Sequence, residues 1–378
     1  MHLVDCTMFY APEGGGVSTY LNAKARWLAQ RSRVRHTIVS PNITAACQSP
    51  ARQGIPALAL PGINGYRVPY SVGGAARRML RLQPDLVEAG DAGPCAWAAL
   101  RVRQRLGIPA VAFYHSDLPQ LVVDRFGSLA MRAARRYLRH LYSQFDMVLA
   151  PSRLMVHQLG ELGIDNAIHQ PLGIDIDTFA PQRRNAALRE HLQLAPETRL
   201  LVYAGRFTLE KKLPLLIDAV RRLGPRYHLL LIGAGDPLPP CPQTNTIGFR
   251  RDQRTLARLV AGCDVLVHPG DCETFGLIVV EAMGCGVPVV GAGAGGVGEL
   301  VTEATGVLVA PNSVPALCDG IEAIYRRDLV RMSQAARQLA RTHYDWNIIM
   351  PQLMNRYAGL LATRERADLE AERICVPE

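Results

Sequence analysis

The sequence predicts an α/β protein built from two doubly wound domains with parallel sheets. Short apolar runs rich in β-branched residues or leucine alternate with longer segments of helical periodicity, which is typical of strand–helix–strand units. Two consecutive segments of the chain show this pattern, and the polar, proline-containing stretch QPLGIDIDTFAPQRRNAA separates them. The chain length of 378 residues also favours two domains over one.

The first domain is predicted to cover residues 1–178. Its strands are the runs HLVDC, HTIVS, DLVEA, PAVAFYH and DMVLA, and the segments between them, such as VSTYLNAKARWLAQ, have helical periodicity. Ligands of such sheets bind beyond the carboxyl ends of the strands. The loops that follow the strands are therefore the first candidates for a site.

The second domain is predicted to cover residues 179–344, with the strands RLLVYAG, YHLLLIG, DVLVHP, VPVVG and GVLVA. A helix-rich tail without strand signals, residues 345–378, follows it. From its composition alone, this tail could pack on either domain.

Charge and composition restrict the partners. The formal net charge of +9 favours anionic ligands such as nucleotides, phosphates, nucleic acid or an acidic membrane surface. Nucleic acid is disfavoured, because aromatic residues make up only 6% of the chain and no known nucleic-acid module is present. The nine cysteines form no Cys-x-x-Cys pair, which argues against a zinc site. We expect a cytoplasmic protein, since no apolar run could span a bilayer and the start lacks signal-peptide features.

The stretch 271–288, DCETFGLIVVEAMGCGVP, predicts a phosphate site flanked by two acids. A helix is predicted to begin near Gly276, where the amides of Gly276 and Leu277 and the helix dipole favour an anion. Glu281, one turn further on, could accept hydrogen bonds from a sugar beside that phosphate, and Glu273 from a second sugar. Sugar, diphosphate and ribose together make a nucleotide sugar.

A purely structural alternative makes Glu273 a helix cap and Glu281 a solvated helix residue. The apolar surroundings LIVVEAM favour binding, because a carboxylate in a buried stripe needs partners. A second loop, AGRFTLEKKLP, follows a strand and carries Arg206 and Lys211, which could neutralise a diphosphate. Taken alone, these two cations could equally be solvent-exposed charges.

Two loops of the first domain are further candidates. Gly14, Gly15 and Gly16 stand between the first strand and a helix, where they would form a tight turn or let the backbone approach a ligand. His115 ends a strand in AVAFYHSDLP and is either structural or in contact with a reacting sugar.

Two motifs suggest other chemistry. GAGAGG at 291–296 matches the dinucleotide fingerprint and raises the alternative of an NAD-dependent oxidoreductase, although it does not follow the first strand of its domain. The one Asp-x-Asp, at Asp175 and Asp177, could hold a divalent ion, but its place in the linker fits a turn or helix cap better.

Nearly the whole chain resembles the retaining glycosyltransferases of family 4, which have the GT-B fold. The motifs that carry the resemblance are GGGVSTYL, FYHSDLP, GIDIDTF, AGRFTLEKK, ETFGLIVVEAMGCGVPVV and GGVGELV. It implies two Rossmann-like domains that face each other across a cleft, with the C-terminal helix crossing back to the N-terminal domain. The N-terminal domain would bind the acceptor and the C-terminal domain the nucleotide sugar.

The resemblance also implies roles for single residues. Arg206 and Lys211 would hold the diphosphate, Glu273 the donor sugar and Glu281 the ribose, with His115 near the reacting sugar. The catalytic set is His115, Arg206, Lys211 and Glu273. The substrate-binding set is Gly15, Gly16, Arg206, Lys211, Asp252, Glu273, Phe275, Gly276, Leu277 and Glu281.

The implied reaction transfers a hexose with retention of configuration and needs no metal or other cofactor. Asp252, in IGFRRDQ, could accept both N–H groups on the pairing edge of guanine, whereas uracil offers one. This favours GDP-mannose as the donor. The alternative is a UDP-sugar donor of the sulfoquinovose, glucose or N-acetylglucosamine type.

The expected acceptor is a lipid-linked saccharide or a glycolipid. The segment RFGSLAMRAARRYLRHLYSQF, within 125–145, predicts a basic helix with one apolar face, which could lie on an anionic membrane surface. Its arginines are Arg125, Arg132, Arg135, Arg136 and Arg139, and its apolar residues are Leu129, Ala133, Tyr137, Leu138 and Leu141. The alternative is a solvated face above an ordinary core contact.

Overall fold

The computed structural model describes residues 1–11, 14–44, 47–48, 51–59, 65–185, 187–250 and 252–374, without the side chains of 47–48, 124–125 and 365–374. The chain forms two compact units. Unit 1 comprises Met1–Pro171 and Asn347–Glu378, and unit 2 comprises Leu172–Trp346. The boundaries predicted from the sequence are 178/179 and 344/345.

Unit 1 is built on a mainly parallel sheet. Its strands are β1 (His2–Cys6), β2 (Arg35–Ser40), β3 (Cys47–Gln48), β4 (Ala51–Gly54), β5 (Ala57–Ala59), β6 (Arg67–Pro69), β7 (Leu86–Ala89), β8 (Ala110–Phe113), β9 (Met147–Ala150) and β10 (Ala167–His169). Eight of them pair in the order β10-β9-β8-β7-β1-β2-β4-β3, in which only the short β3 is antiparallel, and β5 pairs with β6. The central strands β1, β7, β8 and β9 are buried along their whole length, as expected for a sheet covered on both faces.

The helices of unit 1 are α1 (Gly16–Arg31), α2 (Val72–Leu80), α3 (Pro94–Leu106), α4 (Leu118–Tyr142) and α5 (Arg153–Glu161). Ser71, Asp117 and Ser152 cap three of them by accepting a hydrogen bond from a first-turn amide. The segment predicted as one basic helix is interrupted at Gly127, whose φ of 79° and ψ of −175° are not helical.

Unit 2 has a six-stranded parallel sheet. Its strands are β11 (Arg199–Ala204), β12 (Tyr227–Ile232), β13 (Thr244–Ile247), β14 (Val265–His268), β15 (Val289–Ala292) and β16 (Gly306–Val309). Its helices are α6 (Leu188–His191), α7 (Leu213–Leu223), α8 (Gln253–Ala261), α9 (Leu277–Gly284), α10 (Val297–Leu300), α11 (Val314–Tyr325) and α12 (Leu329–His343), with 3₁₀ turns at Pro181–Arg183 and Leu209–Lys211. The strand order β13-β12-β11-β14-β15-β16 is that of a Rossmann fold.

The last helix, α13 (Trp346–Ile374), belongs to unit 1 from Asn347 onwards. Its Arg356 donates hydrogen bonds to the Gln170 side chain and the His169 carbonyl, and the hydroxyl of Tyr357 accepts one from the buried Lys24.

The predicted fold class, two Rossmann-like α/β units, is confirmed by the two sheets. The prediction missed the edge strand β13, because its sequence TNTI is mostly polar, its two central residues are exposed and it has no continuous apolar run.

The strand orders indicate where each unit binds ligands. In both sheets the order reverses beside the first strand, between β1 and β7 in unit 1 and between β11 and β14 in unit 2. The crevice at the carboxyl ends of such a strand pair is the usual ligand site of an open α/β sheet. In unit 2, the two loops at this position are those that carry Arg206 and Glu273.

Candidate active site

The centre of the unit 2 site is an anchored carboxylate, Glu273. The Lys211 ammonium donates to its Oε1 atom, and Nε2 of His268 lies 3.0 Å from the same oxygen. Burial alone would raise the pKa of Glu273, but Lys211 and His268 outweigh it and hold that pKa well below its usual range. Glu273 is therefore ionised and offers only hydrogen-bond acceptors.

The helix start beside this carboxylate is shaped by Gly276. Helix α9 begins at Leu277, and Gly276, its N-cap residue, has a φ of +98°, which favours glycine. A Cβ atom here would also lie 3.2 Å from a methyl group of Val297. The N-cap residue has no side chain, and the described contacts of the Glu273 carboxylate are with Lys211 and His268, so Glu273 is not the cap. The first-turn amides offer hydrogen bonds to an anion.

Glu281 is a buried acid without a partner among the described residues. Its side chain lies on α9 and is 6% exposed, so the alternative of a solvated helix residue is wrong. In the part of the chain that the structure describes, its carboxyl group makes no hydrogen bond or ion pair, and burial raises the pKa of Glu281 to about 8. An unpaired buried carboxyl group lowers stability, which is typical of a group retained for binding.

The remaining predicted residues of unit 2 lie in different surroundings. Arg206 is exposed directly after β11, where its carbonyl accepts from the Tyr203 hydroxyl at 3.1 Å. Phe275 is buried, and its ring contacts that of Tyr344 at 5.8 Å, so its side chain is part of the core. Asp252 is the exposed N-cap of α8, and both of its oxygens accept hydrogen bonds within that cap.

The GAGAGG segment has a packing role. A Cβ atom on Gly295 would come within 2.7 Å of the Glu273 carbonyl oxygen, and one on Gly296 within 2.7 Å of the Phe275 backbone. The Gly296 amide also donates to the Glu273 carbonyl at 2.6 Å. These glycines let two loops touch, and thereby fix the backbone of the anchored acid.

In unit 1, His115 lies in the loop just after β8. Its ring stacks on that of Phe113, with centroids 4.1 Å apart and planes at 4°, and the Tyr20 ring lies at 5.4 Å. Burial, reinforced by the charge of Lys24, lowers the pKa of His115 to about 3. The ring is therefore neutral near pH 7, where it can take part in hydrogen bonds but does not carry a proton charge.

The glycine loop of unit 1 leads into α1, whose N-cap is Gly15. Cβ atoms added to Gly15 or Gly16 would meet no described atom within 4 Å, and neither residue has a positive φ. The described part of the protein therefore gives no steric reason for glycine at these two positions. Close approach of a ligand to the backbone would provide one.

The structure thus brings Lys211 and Glu273 together and adds His268, which the sequence analysis did not select. The signal was available, because His268 ends a strand in DVLVHP, and His115 was selected for a similar position just after one in AVAFYH. The Asp-x-Asp of the linker is a turn: Asp175 accepts from the amides of Asp177 and Thr178.

Comparisons with known proteins show the family of the chain. Residues 14–178 match the family model described as Glycosyltransferase Family 4, and residues 185–342 match Glycosyl transferases group 1. A GDP-mannose-dependent alpha-mannosyltransferase of Mycolicibacterium smegmatis is 32% identical over 74% of this chain and 75% of its own. A GDP-mannose-dependent alpha-(1-6)-phosphatidylinositol dimannoside mannosyltransferase of Mycobacterium tuberculosis is 29% identical over 90% of this chain and 92% of its own.

Two further matches show that the likeness extends beyond mannosyltransferases. A sulfoquinovosyl transferase of Arabidopsis thaliana is 29% identical over 76% of this chain and 60% of its own. The solved sucrose-phosphate synthase from Thermosynechococcus elongatus has a TM-score of 0.81 at 20% identity, covering 96% of this chain and 100% of that chain. The chain belongs to the family 4 glycosyltransferases, which have the GT-B fold.

Proposed function

We propose that the protein is a retaining, metal-independent hexosyltransferase that uses a nucleotide-sugar donor. The observation that carries the proposal is the ionised Glu273, held beside Lys211 and the start of α9. A cation, free helix amides and a carboxylate meet here, and these groups suit a diphosphate joined to a hydroxyl-rich sugar.

Each group has one role in this proposal. Lys211 and Arg206 bind the diphosphate, together with the amides at Gly276 and Leu277. Glu281 accepts hydrogen bonds from the ribose, and Glu273 from the transferred sugar. In unit 1, His115 donates or accepts one hydrogen bond as a neutral ring, and Gly15 and Gly16 allow a sugar-phosphate to lie against the backbone.

The proposed reaction is a same-face substitution. The bond between the anomeric carbon and the diphosphate oxygen breaks, and the acceptor hydroxyl forms a bond to that carbon on the same face. The hydroxyl proton passes to the departing phosphate oxygen, so that a nucleoside diphosphate leaves. Arg206, Lys211 and the helix amides stabilise the negative charge that develops, which is the contribution a metal ion would otherwise make.

We propose GDP-mannose as the donor, supported by the relatives that are named for it. Asp252 gives the choice of guanine little support, because both of its carboxylate oxygens already accept hydrogen bonds from amides at the start of α8. A UDP-sugar donor is the second candidate, and the sulfoquinovosyl transferase among the relatives is named for a sugar other than mannose.

A thermal-shift panel of GDP-mannose, UDP-glucose and ADP-glucose tests the donor site. We expect GDP-mannose to raise the melting temperature, by about 2–4 °C for each 1 kcal/mol of binding free energy. Glu281→Ala and Lys211→Ala should abolish the shift, whereas Arg221→Ala on the exposed surface of α7 should keep it. Stabilisation by UDP-glucose alone would overturn the GDP assignment, and no shift with any of the three would overturn the donor site.

We further propose that the protein works at the cytoplasmic face of a membrane, on a lipid-linked saccharide or glycolipid. No described helix has the length and apolar content to cross a bilayer. Leu138 and Leu141 of α4 were expected on an apolar face that could lie on a membrane. The structure buries both side chains in the core of unit 1, so this part of the expectation is wrong. The helix exposes Leu121 and Phe126 before Gly127. Beyond Gly127 it exposes Leu129, one of the predicted apolar residues, together with Arg132, Arg135, Arg136 and Arg139.

Vesicle co-sedimentation tests the membrane proposal. The protein should bind phosphatidylglycerol vesicles, and Arg132→Ala/Arg136→Ala should weaken binding by about thirtyfold, because each arginine near an anionic surface contributes about 1 kcal/mol. The control Arg221→Ala/Arg326→Ala removes the same charge from exposed ion pairs of unit 2. Equal losses in the two double variants would mean that net charge, and not α4, directs binding.

A further inference from the structure

We propose that His268 is a positioning residue, which fixes the carboxylate of Glu273 so that this acid can recognise the transferred sugar. The inference rests on the proposed function and adds a residue to it. Its basis is the direct contact between the buried His268 ring and one oxygen of Glu273.

The His268 ring is immobilised on several sides. It ends β14, is 1% exposed, and lies 5.9 Å from the Tyr203 ring. The following loop passes so close that a Cβ atom on Gly270 would be 3.1 Å from its Cε1 atom. A ring held in this way has a fixed hydrogen-bond direction, unlike the flexible side chain of Lys211.

The surroundings of the two ring nitrogens assign the proton. Nε2 faces the carboxylate, whereas the buried Nδ1 has no hydrogen-bond partner among the described residues. A proton on Nδ1 would leave a buried donor unsatisfied and direct the lone pair of Nε2 at a negative charge. A ring with its proton on Nε2 therefore fits the site, and it donates to Glu273.

The two oxygens of the Glu273 carboxylate have different contacts among the described residues, and this difference explains why His268 would hold the acid. Lys211 and His268 both reach Oε1, and no described residue donates to Oε2. Oε2 therefore keeps its lone pairs for sugar hydroxyls. The Lys211 ammonium has three N–H donors, so it can contact Glu273 and a diphosphate together. If Lys211 moves towards the diphosphate, His268 still holds the acid in place.

This arrangement predicts that His268 affects sugar binding more than nucleotide binding. The test measures the dissociation constants of GDP-mannose and GDP, and of UDP-glucose and UDP, by calorimetry on the full chain. His268→Leu should weaken binding of the sugar-bearing ligand about tenfold, the loss of one hydrogen bond to a charged group, and change nucleoside diphosphate binding less than about threefold. His268→Gln, which retains an N–H donor, should restore most of the loss.

A double-mutant cycle with Glu273→Ala gives the second measurement. Once Glu273 is removed, His268→Leu should no longer change the ratio of the two dissociation constants. Equal weakening of both ligands by His268→Leu, or an unchanged loss in the Glu273→Ala background, would overturn the proposal. If the unmodified protein binds none of the four ligands, the proposed function itself fails, and this result is distinct from the others.

Discussion

Lys211→Ala is expected to reduce sugar transfer by a factor of about 10²–10³, with most of the loss in kcat. The ammonium would stabilise the charge that develops on the leaving diphosphate, and removal of one preorganised donor to such a charge typically has an effect of this size. The variant loses a second contribution, because Lys211 also holds the Glu273 carboxylate in its ionised form. Steady-state rates of nucleoside diphosphate release from GDP-mannose and UDP-glucose, with membrane extract as acceptor, measure the change.

The pH dependence of the variant separates these two contributions. Without Lys211, the pKa of Glu273 rises, because only His268 remains to oppose burial, so the acid takes up a proton at a higher pH. The residual activity of Lys211→Ala should therefore increase with pH over a range in which the unmodified protein shows no such increase.

A neighbouring lysine supplies the control. Lys212→Ala removes the adjacent positive charge but none of the described contacts of Glu273, and it should lower the rate by less than about threefold. Comparable losses in Lys211→Ala and Lys212→Ala would show that the loop acts through its general charge, contrary to a specific contact with the diphosphate.

The fold could be predicted from the sequence because its central strands are continuous apolar runs. The runs LLVYA and HLLLI coincide with β11 and β12. These strands are buried on both faces, so their sequences are almost continuously apolar and do not alternate between apolar and polar residues. The elements that were missed or altered have weaker local signals. Strand β13 is polar at an edge, and the break in α4 depends on the backbone of Gly127.

Within the candidate site, sequence spacing could select Glu273, Glu281 and Lys211 but could not reveal which groups they contact. The pairing of Lys211 with Glu273 joins residues on two loops, and it exists because β11 and β14 are neighbours in the sheet. The cap formed by Asp252 is equally invisible in a sequence, since it depends on where α8 begins. Residue types indicate the available chemistry, and strand order decides which of these groups meet.

The largest stability effect is expected at Lys24, one of three lysines in the chain, which is completely buried in unit 1. Its ammonium lies 2.9 Å from Asp5, 3.2 Å from Glu88 and 3.0 Å from the Tyr357 hydroxyl of α13. Burial raises the pKa of Glu88 to about 7, whereas Lys24 and His36 outweigh burial at Asp5 and lower its pKa to about 2. The cluster therefore contains buried negative charge that is stabilised mainly by Lys24, with His36 beside Asp5.

Lys24→Met should lower the free energy of unfolding by about 3–5 kcal/mol near neutral pH, because it leaves buried carboxylates without their counter-charge. The loss should grow with pH. Without Lys24, burial raises the pKa of Glu88 further above its unfolded value, and the pKa of Asp5 also rises, because only His36 remains to oppose burial there. A carboxyl group of this kind binds its proton more tightly in the folded state, so its contribution to stability falls as pH rises between the two pKa values.

Urea unfolding at about pH 5 and about pH 8 measures both effects, and the difference between Lys24→Met and the unmodified protein should be larger at the higher pH. Tyr357→Phe, which removes one hydroxyl and no charge, is the matched control, with an expected loss of about 1–2 kcal/mol. A loss below about 1 kcal/mol in Lys24→Met, or one independent of pH, would contradict the assigned charges.

The buried cluster also contacts the candidate site of unit 1. Lys24 donates a hydrogen bond to the hydroxyl of Tyr20, this hydroxyl donates to Glu88, and the Tyr20 ring lies against His115. Loss of Lys24 should therefore disturb that histidine as well as the docking of α13.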